Sequence, residues 1–195
     1  MAHFSRIRSL KSYKRWKNCD EPGMTSFVTC TCLEFAHLLQ RSEMRTRMAL
    51  SILEATRYHQ GRLHAFTVMS HHIHLLLTPN ENQKISQFMQ SFKTQTSKEL
   101  TPLLNVYELS QLKQQTGLNR RSFWKVSFRG LPVHAREVFL QKVNYIHSNP
   151  VRSGFVEVPE DYLWSSGHLY ATGLCEETSG IRIREAIDVY ESMLI

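Results

Sequence analysis

The sequence has no long apolar run, no paired-cysteine motif and no internal repeat, and these absences exclude several classes of protein. No stretch approaches the ~20 consecutive apolar residues that a membrane-spanning helix needs. The four cysteines contain no Cys-x-x-Cys pair, so a structural zinc site with ordinary ligand spacing is not expected. The N-terminus is basic and lacks the apolar segment of a secretory signal. We therefore expect a cytoplasmic protein with free thiols.

Acidic residues are also few. Asp and Glu number 17 against 24 Lys and Arg, which gives a net charge of +7 and a pI near 9.4. This balance favours phosphate-rich partners, although many soluble proteins without such partners are equally basic. The length of 195 residues and a hydrophobic content of 42% suit one domain with a sizeable core and with extensions.

Two histidines, His72 and His74, lie one residue apart at the start of an apolar run. The alternation of a strand places both on one face, while Ile73 and Leu75 point to the opposite face. Two imidazoles on one face can hold one divalent metal ion. An exposed histidine pair on a strand also occurs by chance, so the interpretation needs a second element. By the same alternation, His71 should face away from the pair.

The second element is a predicted helix over about residues 138–149, where apolar residues recur at helical spacing. Pro150 should end this helix near Asn149, because proline cannot continue it and restricts the residue before it. Tyr145 and Asn149 are four residues apart and share a face, and Gln141 lies one turn earlier. A tyrosine and an amide on one face are often ordinary surface residues. Opposite a metal-holding histidine pair, they would supply a nucleophile and a third metal ligand.

Three segments of the chain resemble the single-tyrosine transposases of the HUH class. Residues 69–76 (MSHHIHLL) resemble the family's metal-binding segment, and residues 145–156 (YIHSNPVRSGFV) resemble its nucleophile helix and the following turn. Residues 161–166 (DYLWSS) resemble its downstream Asp-x-x-Trp-Ser-Ser segment. The match covers about residues 25–170, and the REP-associated branch is the most similar. Relatives often have Pro-Asn where this chain has Ser70-His71, which changes the turn before the pair but not the ligands.

The order of elements predicts an α+β fold, with helices packed on one side of a mostly antiparallel sheet. The resemblance implies a ferredoxin-like HUH core with the histidine pair on a central strand. We expect three parts: a basic N-terminal extension (1–24), the transposase domain (25–170) and a helical C-terminal tail (171–195). Within them, strands are predicted at 24–33, 64–69, 72–78 and 123–128, and helices at 35–58, 85–100, 138–149 and 181–194, while 101–122 cannot be assigned.

The resemblance also implies a mechanism. His72, His74 and Asn149 would hold Mg²⁺ or Mn²⁺, and nitrogen ligands favour Mn²⁺ over Mg²⁺. Tyr145 would attack a phosphorus of single-stranded or hairpin DNA, leaving a 5′-phosphotyrosine and a free 3′-hydroxyl. A second strand end could reverse this step, so that DNA is cleaved and rejoined without ATP.

Basic residues flank these segments or lie on the predicted helix before them, and they are candidate phosphate contacts. Any one of them can equally be a solvated surface charge, but as a group they should give a salt-dependent affinity for DNA. The candidates are Arg120, Arg121, Lys125, Arg129, Arg152 and Lys93. Residues 1–24 combine further cations with Tyr13 and Trp16, which suits a DNA-contacting arm or a plain basic leader.

Two other functions stay open. A replication- or conjugation-type HUH nickase often has two tyrosines on the nucleophile helix or a helicase domain, and this chain has one tyrosine there and no room for a helicase. A transposase-derived DNA-binding regulator would have lost cleavage, although the four site residues are all present here. The sequence leaves open whether the protein acts as a homodimer or as a monomer.

Overall fold

An antiparallel sheet forms the centre of the fold. A computed structural model describes residues 20–116, 122–177 and 180–192 of the chain. The four strands of the sheet in these residues are β1 (Ser26–Thr31), β2 (Arg62–Val68), β3 (His72–Thr78) and β4 (Arg129–Pro132). They lie in the order β2-β3-β1-β4, so β3 and β1 are central. The helices are α1 (Ser42–Tyr58), α2 (Ile85–Leu100), α3 (Val106–Thr116), α4 (Arg136–Arg152), α5 (Ser166–Ala171) and α6 (Ile183–Glu191). This arrangement confirms the predicted α+β fold class.

One face of the sheet packs against α1 and α2. Val28, Ile73 and Leu75 point to this face and are fully buried together with apolar residues of both helices, such as Met48 and Phe88. Each large apolar side chain that is fully buried in this way contributes about 1.5–3 kcal/mol to folding. The strong local periodicity explains why the sequence predicted β3 and α2 at their observed positions.

The opposite face packs against α4. Phe27, Ala65 and Leu76 point to this face and form a second buried cluster with Val143 and Ile146 of the helix. Helices therefore cover both faces of the sheet, and the prediction of helices on one side only was wrong. The physical reason is that β2 and β3 are apolar on both faces, which requires a cover on each.

The chain between β1 and α1 differs from the prediction. The helix predicted from residue 35 begins only at Ser42, because Leu33–Phe35 forms a single 3₁₀ turn in which Glu34 has φ 51° and ψ 27°. Phe35 also has a positive φ of 60°. A right-handed helix cannot pass through two such residues, so the chain turns before α1 begins.

The segment after α2 also differs. The strand predicted at 123–128 is absent, and β4 begins at Arg129 instead. Phe123 and Trp124 are apolar because they fill the main core from an irregular segment, in which Trp124 makes a single bridge to Cys32.

The helix α3 lies within the residues that the sequence left unassigned, and the candidate contacts Arg120 and Arg121 lie outside the described residues.

The described residues after 171 pack onto the rest of the chain. A short hairpin of β5 (Cys175–Glu176) and β6 (Gly180–Ile181) precedes α6. Ala186 and Tyr190 of α6 are fully buried in the main core beside α1. The helix is shorter at both ends than the predicted 181–194. None of the helices in the described residues is long and apolar enough to cross a membrane.

Three cysteines, Cys30, Cys32 and Cys175, are buried free thiols, as the sequence predicted. Burial raises the pKa of Cys30 and of Cys175 to about 12, because a thiolate would lose its hydration there. These thiols are therefore unreactive at neutral pH. Cys19 lies outside the described residues.

Candidate active site

The two histidines of β3 lie side by side on the face of the sheet that α4 covers. The ring centroids of His72 and His74 are 4.7 Å apart. Ile73 between them points into the main core and anchors the strand. The alternation of the strand therefore presents two imidazoles to the same volume.

Both rings are neutral at physiological pH. Burial is the main reason why the pKa of His72 is lowered to about 4 and that of His74 to about 3, and the neighbouring histidines contribute to both shifts. The Nδ1 atom of His74 lies 2.9 Å from the hydroxyl of Thr29 on the adjacent strand, so Nε2 is the ring nitrogen left to bind something else. A neutral imidazole fixed in this way by a neighbour has the properties of a metal ligand.

Tyr145 faces this pair from α4. Its ring packs edge-on against His74 and against Phe27, with centroid distances of 5.4 Å and 5.6 Å. The buried residues Val143 and Ile146 hold the helix against the sheet, and Tyr145 lies between them in sequence, at the rim of that contact. The tyrosine is half-buried, so its position is fixed while part of it stays accessible.

Asn149 lies one helical turn after Tyr145 on the same helix. The prediction that Pro150 ends the helix near Asn149 was wrong, because α4 continues to Arg152. Pro150 leaves only one carbonyl without its helical partner and is itself buried, so the last turn still forms. The turn closes with bonds from Ser153 N to Asn149 O and from Gly154 N to Val151 O, both 3.0 Å.

A cavity of about 560 Å³ brings these residues together. Its polar lining includes His72, His74, Tyr145 and Asn149. His71 also lines it, with its ring 4.5 Å from that of His72, so the prediction that His71 faces away was wrong. The reason is that His71 belongs to the turn before β3, where strand alternation does not apply. Gln141 is exposed and is not among the described residues that line the cavity.

The donor set fits a divalent metal ion. Two neutral imidazoles and one amide oxygen suit an ion that accepts nitrogen and oxygen ligands, such as Mn²⁺. Within the described part of the chain, no group of three or more His, Cys, Asp and Glu could hold a metal. A metal here would therefore depend on Asn149 and on ligands that come from water or substrate.

Basic side chains lie in the cavity and beside it. Lys125 and Arg129 line it, and no carboxylate is found among the described residues that do. The guanidinium of Arg152 lies 5.6 Å from the centroid of the Tyr145 ring. Lys93 differs from these three, because its ammonium donates to the carbonyl oxygens of Lys125 and Val126 and so holds the segment that carries Lys125.

Sequence reasoning missed three residues of the site. Thr29 could have been found only from the register of β1 on β3, which pairs it with His74. Lys142 places its ammonium 6.0 Å from the Tyr145 ring centroid, and its position one turn before the tyrosine was a usable signal. Phe35 lines the cavity and is 58% exposed, and nothing in the sequence distinguishes it from a core phenylalanine.

The other tyrosines near the site have structural roles. The hydroxyl of Tyr162 donates to Val68 O at 2.7 Å, and that of Tyr170 donates to His64 O at 2.9 Å. Since both hydroxyls are engaged by the backbone, neither is available as a nucleophile. His147 is also structural, because its Nε2 lies 2.7 Å from the buried hydroxyl of Ser166.

Comparisons with known proteins identify relatives of this chain. The family model described as "Transposase IS200 like" matches residues 25–149. A putative REP-associated tyrosine transposase of Haemophilus influenzae is 28% identical over 106 residues, which cover 53% of this chain and 57% of that protein. The chain thus matches a little more than half the length of this relative.

The chain is also similar in fold to a solved structure. A structure of a REP-associated tyrosine transposase bound to a REP hairpin superposes with a TM-score of 0.60 and 21% identity. The superposition covers 86% of this chain and 96% of that one. At this identity the likeness shows a shared fold.

Proposed function

The chain belongs to the IS200-like transposase family, and we propose that it cleaves and rejoins DNA strands with Tyr145 as the nucleophile. The observation that carries the proposal is the convergence of Tyr145, Asn149 and the His72–His74 pair on one cavity. The sequence places these residues on two separate elements, β3 and α4. Packing of α4 against the sheet does not by itself require a tyrosine and an amide next to two neutral imidazoles.

The chemistry follows from the phenol. The Oη atom of Tyr145 would attack a DNA phosphorus, forming a phosphotyrosine bond while the bond from phosphorus to the 3′-oxygen breaks. The tyrosine loses its proton and the departing 3′-oxygen gains one, which leaves a 5′-phosphotyrosine and a 3′-hydroxyl. The phosphodiester energy is kept in the covalent link, so a second 3′-hydroxyl can attack it and restore a DNA backbone.

His72, His74 and Asn149 would hold a divalent metal ion, which would polarise the non-bridging oxygens of the phosphate. The protein's other contribution is position. Phe27 and His74 fix the tyrosine ring on two sides, and Lys125 and Arg129 favour a phosphate in the cavity by their charge. This arrangement needs an exposed backbone and therefore favours single-stranded or hairpin DNA, and a structurally similar transposase is bound to a REP hairpin.

The proposed site is complete within one chain. Tyr145 packs directly on His74 of the same molecule, so no second copy is required to bring nucleophile and metal ligands together. A monomer would thus be sufficient for cleavage. A homodimer would then serve only to bring two DNA ends together.

The test is a gel assay for a covalent protein–DNA adduct. Labelled single strands and hairpins from the DNA flanking the gene would be incubated with Mn²⁺ or Mg²⁺ and with wild type or Tyr145→Phe. Tyr58→Phe is the matched control, because Tyr58 is 80% exposed and lines a different cavity. We expect a metal-dependent adduct in wild type and in the control, and none in Tyr145→Phe. Tight binding without an adduct would favour a DNA-binding regulator instead.

A further inference from the structure

Phe35 is a large aromatic residue that the fold presents to solvent at the cavity of the candidate active site. Its side chain is 58% exposed, although the same cavity is lined by the half-buried Tyr145 and Asn149. An exposed phenylalanine gives up the stabilisation that burial would provide. Phe35 lines the same cavity as the proposed nucleophile Tyr145 and the two cations Lys125 and Arg129, and a role in ligand binding would explain its exposure.

The backbone that carries this ring adopts an unfavourable conformation. Glu34 and Phe35 are consecutive residues with positive φ values of 51° and 60°, in the region that residues other than glycine rarely adopt. The turn is fixed by the bond from Phe35 N to Cys32 O and by the bond from Ala36 N to Leu33 O. Leu38 and Leu39, which follow the turn, are fully buried and anchor this part of the chain in the core. Strain that a fold retains in this way is typical of binding sites.

The turn is also tied directly to the histidine segment. Cys32 N donates to His71 O at 2.8 Å, and Leu33 N donates to Phe123 O at 3.0 Å. The Phe35 ring lies 6.1 Å from the ring of His71 and presents its face to the Lys125 ammonium, which is 3.4 Å from the centroid. A change at the ring would therefore affect the surroundings of the proposed metal ligands.

The combination of a ring with a cation suits one class of ligand. Proteins bind single-stranded nucleic acid by stacking bases on aromatic rings while cations follow the phosphates. Here Lys125 and Arg129 supply the charge and Phe35 supplies the ring, within one cavity. Lys125 is held in place in turn, because Lys93 binds its carbonyl oxygen and Lys125 N donates to Thr31 O.

We propose that Phe35 is a stacking platform for an unpaired nucleobase next to the phosphate that Tyr145 attacks. The platform would hold the strand so that one phosphate rests between Lys125 and the nucleophile. This proposal rests on the proposed function for the identity of the ligand, which is single-stranded DNA. It adds a specific residue that determines which bases near the cleaved bond are bound well.

The test compares two probes of equal backbone charge, namely fluorescein-labelled oligo(dT) and an abasic strand of the same length. Affinities would be measured by anisotropy, without metal, for wild type, Phe35→Ala and Phe35→Trp. We expect Phe35→Ala to weaken the binding of oligo(dT) by about tenfold, the order of one lost base–ring stack, and to leave the abasic strand unchanged. Phe35→Trp should bind oligo(dT) at least as tightly as wild type. Tyr58→Ala, which removes an exposed ring outside the cavity, should change neither affinity.

Equal weakening of both probes by Phe35→Ala would overturn the proposal, since the ring would then act through the fold or the charge and not through a base. Unchanged binding of oligo(dT) would also overturn it, and so would a failure of wild type to prefer oligo(dT). Matching thermal unfolding of the variants and wild type would show that they are folded alike. The result is independent of cleavage, because Tyr145→Phe should keep the preference for oligo(dT) while losing the covalent adduct. An adduct in wild type without that preference would leave the proposed function standing and remove only the platform.

Discussion

The ring of Tyr145 packs edge-on against the ring of His74, with their centroids 5.4 Å apart, and this contact joins the helix α4 to the central strand β3. It places the proposed nucleophile against His74, which is the most deeply buried of the proposed metal ligands and is only 4% exposed to solvent. The contact lies within a single chain. We therefore expect the candidate active site to be assembled within one molecule.

The first prediction concerns this assembly in one chain. Co-expressed Tyr145→Phe and His72→Ala should form no more adduct than either variant alone, because each molecule then lacks one half of its own site. The adduct assay with Mn²⁺ measures this directly. If the two variants restored activity to each other, the tyrosine of one copy would be serving the histidines of another, and assembly within one chain would be wrong.

The second prediction concerns Thr29, which holds Nδ1 of His74 at 2.9 Å. Thr29→Val should weaken the binding of Mn²⁺ by about 10–100-fold, the usual effect of losing a partner that orients a metal-binding histidine. Paramagnetic resonance of free Mn²⁺ gives the affinity without any need for activity. Thr94→Val, a change at an exposed threonine of α2, is the control and should bind Mn²⁺ like wild type. Equal affinities for all three proteins would remove Thr29 from the site.

The third prediction concerns His64, a buried residue on β2 whose Nε2 lies 2.8 Å from the hydroxyl of Thr78. Burial and, to a smaller extent, the charge of Arg62 together lower the pKa of His64 from 6.5 to about 4. The unfolded chain therefore binds more protons than the folded chain between pH 6.5 and about 4. The stability is complete above pH 6.5 and falls as the pH drops through this window, by at most about 3 kcal/mol from this group.

His64→Gln keeps a polar side chain near Thr78 and removes the titration. Chemical unfolding at several pH values should show a shallower loss of stability below pH 6.5 in the variant than in wild type. The cavity beside His64 carries other ionisable groups that both proteins share, namely Arg62, His134, Arg136 and Glu177. Parallel curves for the two proteins would show that His64 does not carry this part of the acid sensitivity.

The fourth prediction concerns Ser166, whose fully buried hydroxyl serves two neighbours. It accepts from Phe66 N at 2.9 Å and lies 2.7 Å from Nε2 of His147. Ser166→Ala leaves both groups buried without this partner, which should cost about 3 kcal/mol of unfolding free energy. Ser153→Ala, at an exposed position after α4, should cost less than about 0.5 kcal/mol. A small effect of Ser166→Ala would mean that water replaces the hydroxyl.

The sequence was most informative where local periodicity decides the structure. The alternation from His72 onwards predicted β3 and the shared face of His72 and His74, and the helical spacing from Ile85 predicted α2. Both elements are long and regular enough for their own side chains to reveal which face is buried. The convergence of Tyr145 and Asn149 on the histidines was predicted from the resemblance of three segments to the transposase family, since no local rule places α4 against β3.

The remaining features depend on contacts that are distant in sequence. Phe123 and Trp124 have the composition of a strand, but they fill the core from an irregular segment, and β4 pairs with β1 only from Arg129. The exposure of Phe35 follows from the positive φ values of Glu34 and Phe35, and no residue type in this part of the sequence predicts a positive φ. Pro150 lies inside α4 and is buried there, whereas local rules consider only the hydrogen bond that a proline removes and therefore predict an earlier helix end.

The central claim is that Tyr145 becomes covalently attached to DNA, and peptide mass spectrometry of the wild-type adduct tests it most directly. The adduct would be formed with Mn²⁺ on a strand from the flanking DNA, then digested with nuclease and protease. We predict a nucleotide remnant on the peptide that contains Tyr145, attached through its 5′-phosphate. A remnant on Tyr162, Tyr170 or a serine, or attachment through a 3′-phosphate, would contradict the account.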